Sequence, residues 1–438
     1  MKFYSTKNKN LRKSLEEAVI QGLAEDQGLF MPETIPRFKE SFFRDIYRLD
    51  FREISLNVAM KFFGADIPAG DLKKITFDAI NFDTPMVQIH DRVFTLELFH
   101  GPTFAFKDIG ARFMARLLGY FIRGYSREVN VLVATSGDTG SAVANGFWKV
   151  PGIKVHILYP KGLVSSVQEH QFTTLGENIT ALEIKGNFDD CQRLVKTAFL
   201  DLDLKSHCAL TSANSINIAR LIPQIFYYFN GFAQLQPPVQ DLYISVPSGN
   251  FGNLTAAMMA GKMGLPVKKY IAATNVNDIV PGYLKTGNFI PRPSIATIAN
   301  AMDVGNPSNF DRILDLYGHS HSMINEVVSG YSYTDDQIRE TIGKTYTKYG
   351  YLLDPHGATG YQALLDHMLN TSVLNISASA GFFIETAHPA KFADIVEEVI
   401  GKKIDIPDSL RQAMRKTPVK TTLSADYKDI RDYLLSVQ

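Results

Sequence analysis

The chain has 438 residues, 45% of them hydrophobic and 21% charged; this is the balance of a folded chain with sizeable cores, and the length points to more than one domain. Lys plus Arg and Asp plus Glu both number 45, so there is no global basic field of the kind that draws proteins onto nucleic acid. The two cysteines, Cys191 and Cys208, form neither a CxxC pair nor a disulfide framework, which suits a reducing compartment and a cytosolic protein.

The N-terminal stretch "MKFYSTKNKNLRKSLEEAVIQGL" is charged and polar before its apolar periodicity begins, unlike a signal peptide. No uncharged apolar run approaches membrane-spanning length, so a soluble protein with no membrane partner is expected. From about Leu11 to Phe82 apolar residues recur at spacings of three and four, punctuated by Pro32, Pro36 and Pro68. This pattern predicts a helical N-terminal unit over residues 1–85.

From Phe94 the pattern changes to short β-branched runs, glycine turns and helical segments, the alternation of α/β architecture with a parallel sheet. Candidate strands are residues 130–134, 154–159, 179–184, 241–246, 269–274 and 381–385. Several end in polar or glycine-rich turns, where open α/β sheets bind ligands. The expected catalytic region is 86–400, followed by a helical tail over 401–438, and "QLQPPVQ" (234–240) is the nearest thing to a linker.

The first candidate for chemistry lies in "HGPTFAFKDIGARF", residues 100–113. Lys107 follows two phenylalanines and enters a segment with Ile109, Phe113, Met114, Leu117, Leu118 and Phe121 on one helical face, Arg112 and Arg116 being left for the other side. A cation at a helix N-terminus is disfavoured, whereas Asp108 is favoured there. A desolvated lysine beside aromatic rings is a setting for nucleophilic, Schiff-base chemistry. Taken alone, the pattern also suits a lysine whose stem lies on apolar surface and whose ammonium reaches water.

Three strand-to-turn segments follow. In "VLVATSGDTGSAVANGF" (131–147), Thr135, Ser136, Asp138 and Thr139 offer hydroxyls and amides at a helix N-terminus, a receiver for a carboxylate or simply a well-capped helix. In "TSANSINIARLIPQ" (211–224), Asn214, Ser215 and Arg220 make either a second anion site or a polar helix face. In "VPSGNFGNLTAAMMAG" (246–261), Gly249 and Gly252 let backbone amides face an anion at the helix start, without the lysine of a nucleotide P-loop. Finally "GFFIETAHPAKF" (381–392) runs from a strand into Thr386, whose hydroxyl suits a heterocycle nitrogen or the cap of the next helix.

These motifs, with "GNFDDCQRLVK", "AATNVND", "NAMDVGNPSN" and "DPHGATGY" in the same order, resemble the threonine synthase family of pyridoxal-phosphate enzymes. The resemblance implies the tryptophan synthase β-like fold (fold type II), two open twisted α/β lobes with the cofactor between them. It implies that Lys107 forms the Schiff base with pyridoxal 5'-phosphate, that Gly249, Asn250, Phe251, Gly252 and Asn253 hold the cofactor phosphate, and that Thr386 stands beside the ring nitrogen. Some relatives carry Asp at the position of Asn253. Thr103, Ser136, Asp138 and Thr139 are implied to hold the amino-acid substrate, and Asn214, Ser215 and Arg220 its phosphate.

The implied reaction converts O-phospho-L-homoserine and water to L-threonine and phosphate, in a monomer or homodimer with no metal. Two rivals remain open. One is a relative that releases 2-oxobutyrate from the same substrate, and the other is a non-catalytic pyridoxal-phosphate-binding protein.

Overall fold

A computed structural model describes residues 1–235, 239, 241–371 and 379–437; most of the "QLQPPVQ" stretch lies outside the described residues. The chain divides into two compact units. The first contains Met1, residues 31–106 and residues 221–405, and the second contains residues 2–30, 107–220 and 406–438.

The first unit is built on a six-stranded sheet in the order Val328–Ser332, Val267–Thr274, Asp241–Pro247, Ser379–Glu385, Val93–Glu97, Met86–His90. All neighbours are parallel except the last pair, a hairpin. The Ser379–Glu385 strand is buried along its whole length, as an apolar run in the middle of a parallel sheet should be. Helix Pro355–Asn370 packs on this sheet and places Tyr361 and Leu364 in one cluster with Tyr243, Ile271 and Phe383.

Three strands of this sheet end at turns that the sequence marks out. Asp241–Pro247, Ser379–Glu385 and Val93–Glu97 are parallel neighbours, so their C-terminal ends leave the sheet along the same edge. They lead into "SGNFGN", the turn "TAHP" (386–389) and "LFHGPTFAF" respectively. The last two segments are laced together: Phe106 donates its N–H to the Thr386 carbonyl at 2.9 Å, and His388 donates to the Phe104 carbonyl at 3.1 Å. Phe106 is the final residue of this unit before the chain crosses into the second.

The second unit holds a five-stranded parallel sheet in the order Thr421–Ser424, Ile179–Lys185, Ile153–Pro160, Val129–Ala134, Ala209–Ser212. Leu132, Leu158 and Leu182 of the sheet share a core cluster with Leu194 and Val195 of helix Phe188–Leu200 and with Ile430 and Leu434 of helix Tyr427–Ser436. The C-terminal tail therefore supplies both an edge strand and a core helix.

Each of the six expected strands is present, longer by a residue or two at one or both ends. The hairpin Met86–His90 and Val93–Glu97 is additional, as are the short strands Lys2–Ser5 and Arg12–Ser14 within the N-terminal stretch that reads as helical. Lys2–Ser5 is too short and too polar to carry an alternation signal. Helices Leu15–Gln21, Phe51–Phe63 and Ala69–Ala79 do follow the periodicity. Among the described residues no helix is long and apolar enough to cross a membrane.

One buried side chain makes the second unit sensitive to acid. The His156 ring bonds Asn130 Oδ1 at 2.9 Å and the Tyr433 hydroxyl at 3.2 Å. Burial first, and Lys154 second, depress its pKa from 6.5 to about 4. Because the folded pKa lies below the unfolded one, the stabilisation is complete above 6.5 and is lost as pH falls toward 4, by up to about 3 kcal/mol. Urea midpoints measured down this range should fall more steeply for the wild type than for His156→Gln, and parallel slopes would contradict the assignment.

Candidate active site

Helix Lys107–Phe121 begins at the lysine itself. Ile109, Phe113, Met114, Leu117 and Leu118 are buried as the periodicity requires, but so is Arg112, and Arg116 Nη1 donates to the Gly146 carbonyl at 2.8 Å. The arginine side of this helix is thus an interior contact with the helix Asp138–Phe147. Close approach there requires glycine: a Cβ on Gly146 would lie 3.0 Å from the Ala111 carbonyl carbon.

Lys107 Nζ lies 3.9 Å from Asp138 Oδ2, with both side chains largely withdrawn from water. A carboxylate at this range favours an ammonium, whereas the position at the helix start disfavours one. Asp138 is itself fixed by Gln168, whose Nε2 donates to Oδ1 at 2.8 Å. Gln168 was not among the sequence candidates. Gly137, at φ +145°, lies against it, with no room for a Cβ within 2.4 Å of the Gln168 amide.

The loop from 135 to 139 separates into braces and available groups. Thr135 Oγ1 accepts the N–H groups of Gly137 and Gly140 at 2.9 and 2.8 Å and donates to the Gly137 carbonyl, so this hydroxyl shapes the turn. Ser136 and Thr139 are half-buried, and their hydroxyls make no hydrogen bond among the described residues. They remain free to meet a ligand.

The 211–224 segment is committed inward. Asn214 clamps the end of strand Val129–Ala134, donating Nδ2 to the Ala134 carbonyl at 2.9 Å and accepting its N–H at 3.3 Å. Arg220 is buried, donates Nη1 to the Ala213 carbonyl, and packs on Gly110, where a Cβ would stand 2.9 Å from its carbonyl oxygen. Burial lowers its pKa to about 10, and Asp108 works in the opposite direction. Ser215 is the half-buried polar member of the set.

In the first unit, Asp241–Pro247 leads through Ser248–Phe251 into helix Gly252–Lys262, with Phe251 in the left-handed region at φ +61°. A helix start leaves its first N–H groups without intrahelical partners. Asn253 Oδ1 takes that of Leu254 at 2.9 Å and the Ser248 hydroxyl at 2.6 Å, while its Nδ2 donates to the Pro247 carbonyl at 2.8 Å. The Asn253 side chain is therefore spent on the turn, and what the loop can offer an anion is its backbone amides. Asn250 Oδ1 is likewise held by the Ser308 N–H and hydroxyl, at 2.7 and 3.0 Å.

At the neighbouring strand end, Thr386 is buried and its hydroxyl has no hydrogen-bond partner among the described residues. Thr103 is also buried, and its carbonyl accepts Lys391 Nζ at 2.9 Å. Among the described residues no cluster of His, Cys, Asp or Glu has the arrangement of a metal site.

Three family models cover this chain from end to end: "Threonine synthase N terminus" over residues 2–80, "Pyridoxal-phosphate dependent enzyme" over 80–373, and "Threonine synthase, C-terminal" over 358–434. The threonine synthase of Escherichia coli (strain K12) is 44% identical over 439 aligned positions, covering 100% of both chains. The chain belongs to the threonine synthase family.

Among solved threonine synthases, the crystal structure from Escherichia coli matches with a TM-score of 0.93 and 42% identity over 100% of each chain. A pyridoxal-phosphate-bound threonine synthase from Brucella melitensis matches at 0.92 and 34%, covering 100% of this chain and 99% of its own. The expected fold type II α/β architecture is that of the family, and pyridoxal 5'-phosphate is the family's cofactor. The residues here fit that group. The 249–253 turn leaves helix-start amides of the kind that suit an anion, Thr386 brings a buried hydroxyl to the adjacent strand end, and Lys107 heads its helix.

Arg220 supplies a test that separates bracing from ligand binding. Arg220→Ala removes a buried cation and leaves Asp108 behind, at an expected cost of about 3 kcal/mol. The variant should show a lower unfolding temperature and weaker cofactor retention. A raised KM for phosphohomoserine with an unchanged unfolding temperature would instead make Arg220 a direct ligand of the substrate phosphate.

Proposed function

We propose that this chain converts O-phospho-L-homoserine and water to L-threonine and inorganic phosphate. The observation that carries the reading is the match of threonine synthase models at both termini as well as through the pyridoxal-phosphate core. It separates this chain from serine racemases and deaminases that share only its fold.

Lys107 would carry the cofactor's aldehyde, and its amine would be the base that takes the substrate's Cα proton. The loop amides of Gly249, Phe251, Gly252 and Asn253 would hold the cofactor phosphate, with Asn250 fixing the loop through Ser308. The Thr386 hydroxyl would stand beside the ring nitrogen, where a neutral group would limit how far the ring is protonated. Bound pyridoxal phosphate supplies the electron sink that makes carbon acids of Cα and Cβ.

Asp138, 3.9 Å from Lys107 Nζ, holds the lysine side chain in place and, with the hydroxyls of Ser136 and Thr139 and with Thr103, would receive the amino acid. Asn214 and Arg220 brace their segment, and the half-buried Ser215 beside them is the group proposed to meet the substrate phosphate.

The enzyme is read as cytosolic, a monomer or homodimer acting on a small molecule without a nucleic-acid or membrane partner. Its balanced formal charge and two buried cysteines, neither in a disulfide, support the cytosolic reading. Incubation with phosphohomoserine should release threonine and phosphate in equal amounts. Phosphate accompanied by 2-oxobutyrate without threonine would make it the keto-acid-forming relative, and no phosphate at all would make it a non-catalytic binder.

A further inference from the structure

A buried group of ionisable residues in the first unit has no role in that chemistry. Glu385, the residue before Thr386, is fully buried, and its Oε1 accepts the Asp354 N–H at 2.6 Å. Its other oxygen, Oε2, has no partner among the described residues. It lies where a Cβ on Gly357 would come within 1.6 Å. The carboxyl is therefore wedged between its strand and the first turn of helix Pro355–Asn370, and only glycine at 357 leaves space for it.

Asp354 caps that helix, accepting the N–H of His356 at 2.8 Å and of Gly357 at 3.3 Å. It also bonds His356 Nδ1 at 2.6 Å. The Ala301 N–H donates to His356 Nε2 at 3.2 Å. Since Nε2 accepts, the ring proton sits on Nδ1 and points at Asp354. The backbone around Ala301 in turn lies against the cofactor loop: a Cβ on Gly249 would stand 2.6 Å from the Ala301 oxygen and 2.7 Å from Met302 Cα. A continuous path thus runs from Thr386 through Glu385, Asp354, His356 and Ala301 to Gly249, all within one unit.

The charges around Glu385 decide its state. Asp354 and His356 face it from the head of the helix. Glu97 is its register partner on the neighbouring strand, and accepts the Tyr351 hydroxyl at 2.7 Å and bonds His100 at 2.7 Å. His388 and Lys391 lie in the turn beyond Thr386. Asp354 accepts two helix-start N–H groups, whereas Glu385 accepts a single N–H. Burial, and then repulsion from Asp354, push the Glu385 carboxyl well above the usual range.

We infer that Glu385, Asp354 and His356 form a positioning relay, with Glu385 as a neutral carboxyl, that fixes the 249–253 loop and Thr386 at one separation and keeps negative charge off the strand end that meets the cofactor ring. The inference rests on the assignment of that loop and of Thr386 to the cofactor made above. Its consequence is that shape and neutrality matter at 385, not acidity.

The test uses apoprotein titrated with pyridoxal phosphate, following the dissociation constant and the visible band across the neutral pH range. Glu385→Gln should bind like the wild type with an unmoved band. Glu385→Ala and His356→Gln should each weaken binding by roughly tenfold, the size of one buried hydrogen-bonded group lost, and should shift the band. The infrared spectrum of wild-type apoprotein should carry a protonated-carboxyl stretch at neutral pH that Glu385→Gln lacks.

Absence of that stretch, or Glu385→Gln binding as poorly as Glu385→Ala, overturns the neutral carboxyl. Wild-type affinity and spectrum in His356→Gln overturn the relay, and this variant decides the matter where Glu385→Ala does not fold. If the wild type itself takes up no cofactor at Lys107, the assignment of the site has failed rather than the relay.

Discussion

Lys107→Ala is expected to abolish the covalent attachment of pyridoxal phosphate and to lower turnover on the order of a thousandfold or more, because it removes the attachment point and the base together. The structure makes the variant interpretable. Lys107 sits at the first position of its helix, where alanine is well tolerated. The carboxylate it leaves behind, Asp138, is still held by Gln168. A small change in unfolding temperature should therefore accompany a complete loss of the borohydride-reducible visible species. An unchanged visible spectrum would remove Lys107 from the centre of the chemistry.

How much of this was legible in the sequence depends on the range of the interactions. The central strands are continuous Val, Ile, Leu and Tyr runs closed by glycine or polar turns, a local signal, and their positions are recovered to within a residue or two. Lys107 and the 249–253 loop are equally local, since a lysine at a helix start and a glycine turn into a helix are visible without a fold. The hairpin at 86–97 was lost because its strands are short and only partly buried.

Polar residues in turns were harder to assign. Thr135, Asn214 and Asn253 all look like ligands, because a hydroxyl or carboxamide at a strand end suits either a ligand or the loop's own backbone. In the structure each spends its side chain on neighbouring backbone. Nothing local decides between the two uses. Gln168 and the pair Asp354 and His356 acquire meaning only from partners far away in sequence, Asp138 and Ala301, so their motif "DPHGATGY" reads as a family marker without a physical role until the sheet is assembled.

Gly249→Ala is expected to have the second largest effect. The added methyl would stand 2.6 Å from the Ala301 carbonyl oxygen and 2.7 Å from Met302 Cα. Both are backbone atoms, which cannot rotate away as the end of a long side chain does. Either the loop or the segment at 299–302 must move, and overpacking of this kind costs about 1–3 kcal/mol. That strain falls on the amides assigned to the cofactor phosphate, so affinity for pyridoxal phosphate should drop by roughly tenfold to a hundredfold. Gly282, in helix Ile279–Thr286 of the same unit, has nothing within 4 Å of its Cβ position, and Gly282→Ala should bind cofactor normally. Equal dissociation constants for the two variants would mean that the contact with Ala301 does not hold the loop, and would also cut the path from His356 to the cofactor.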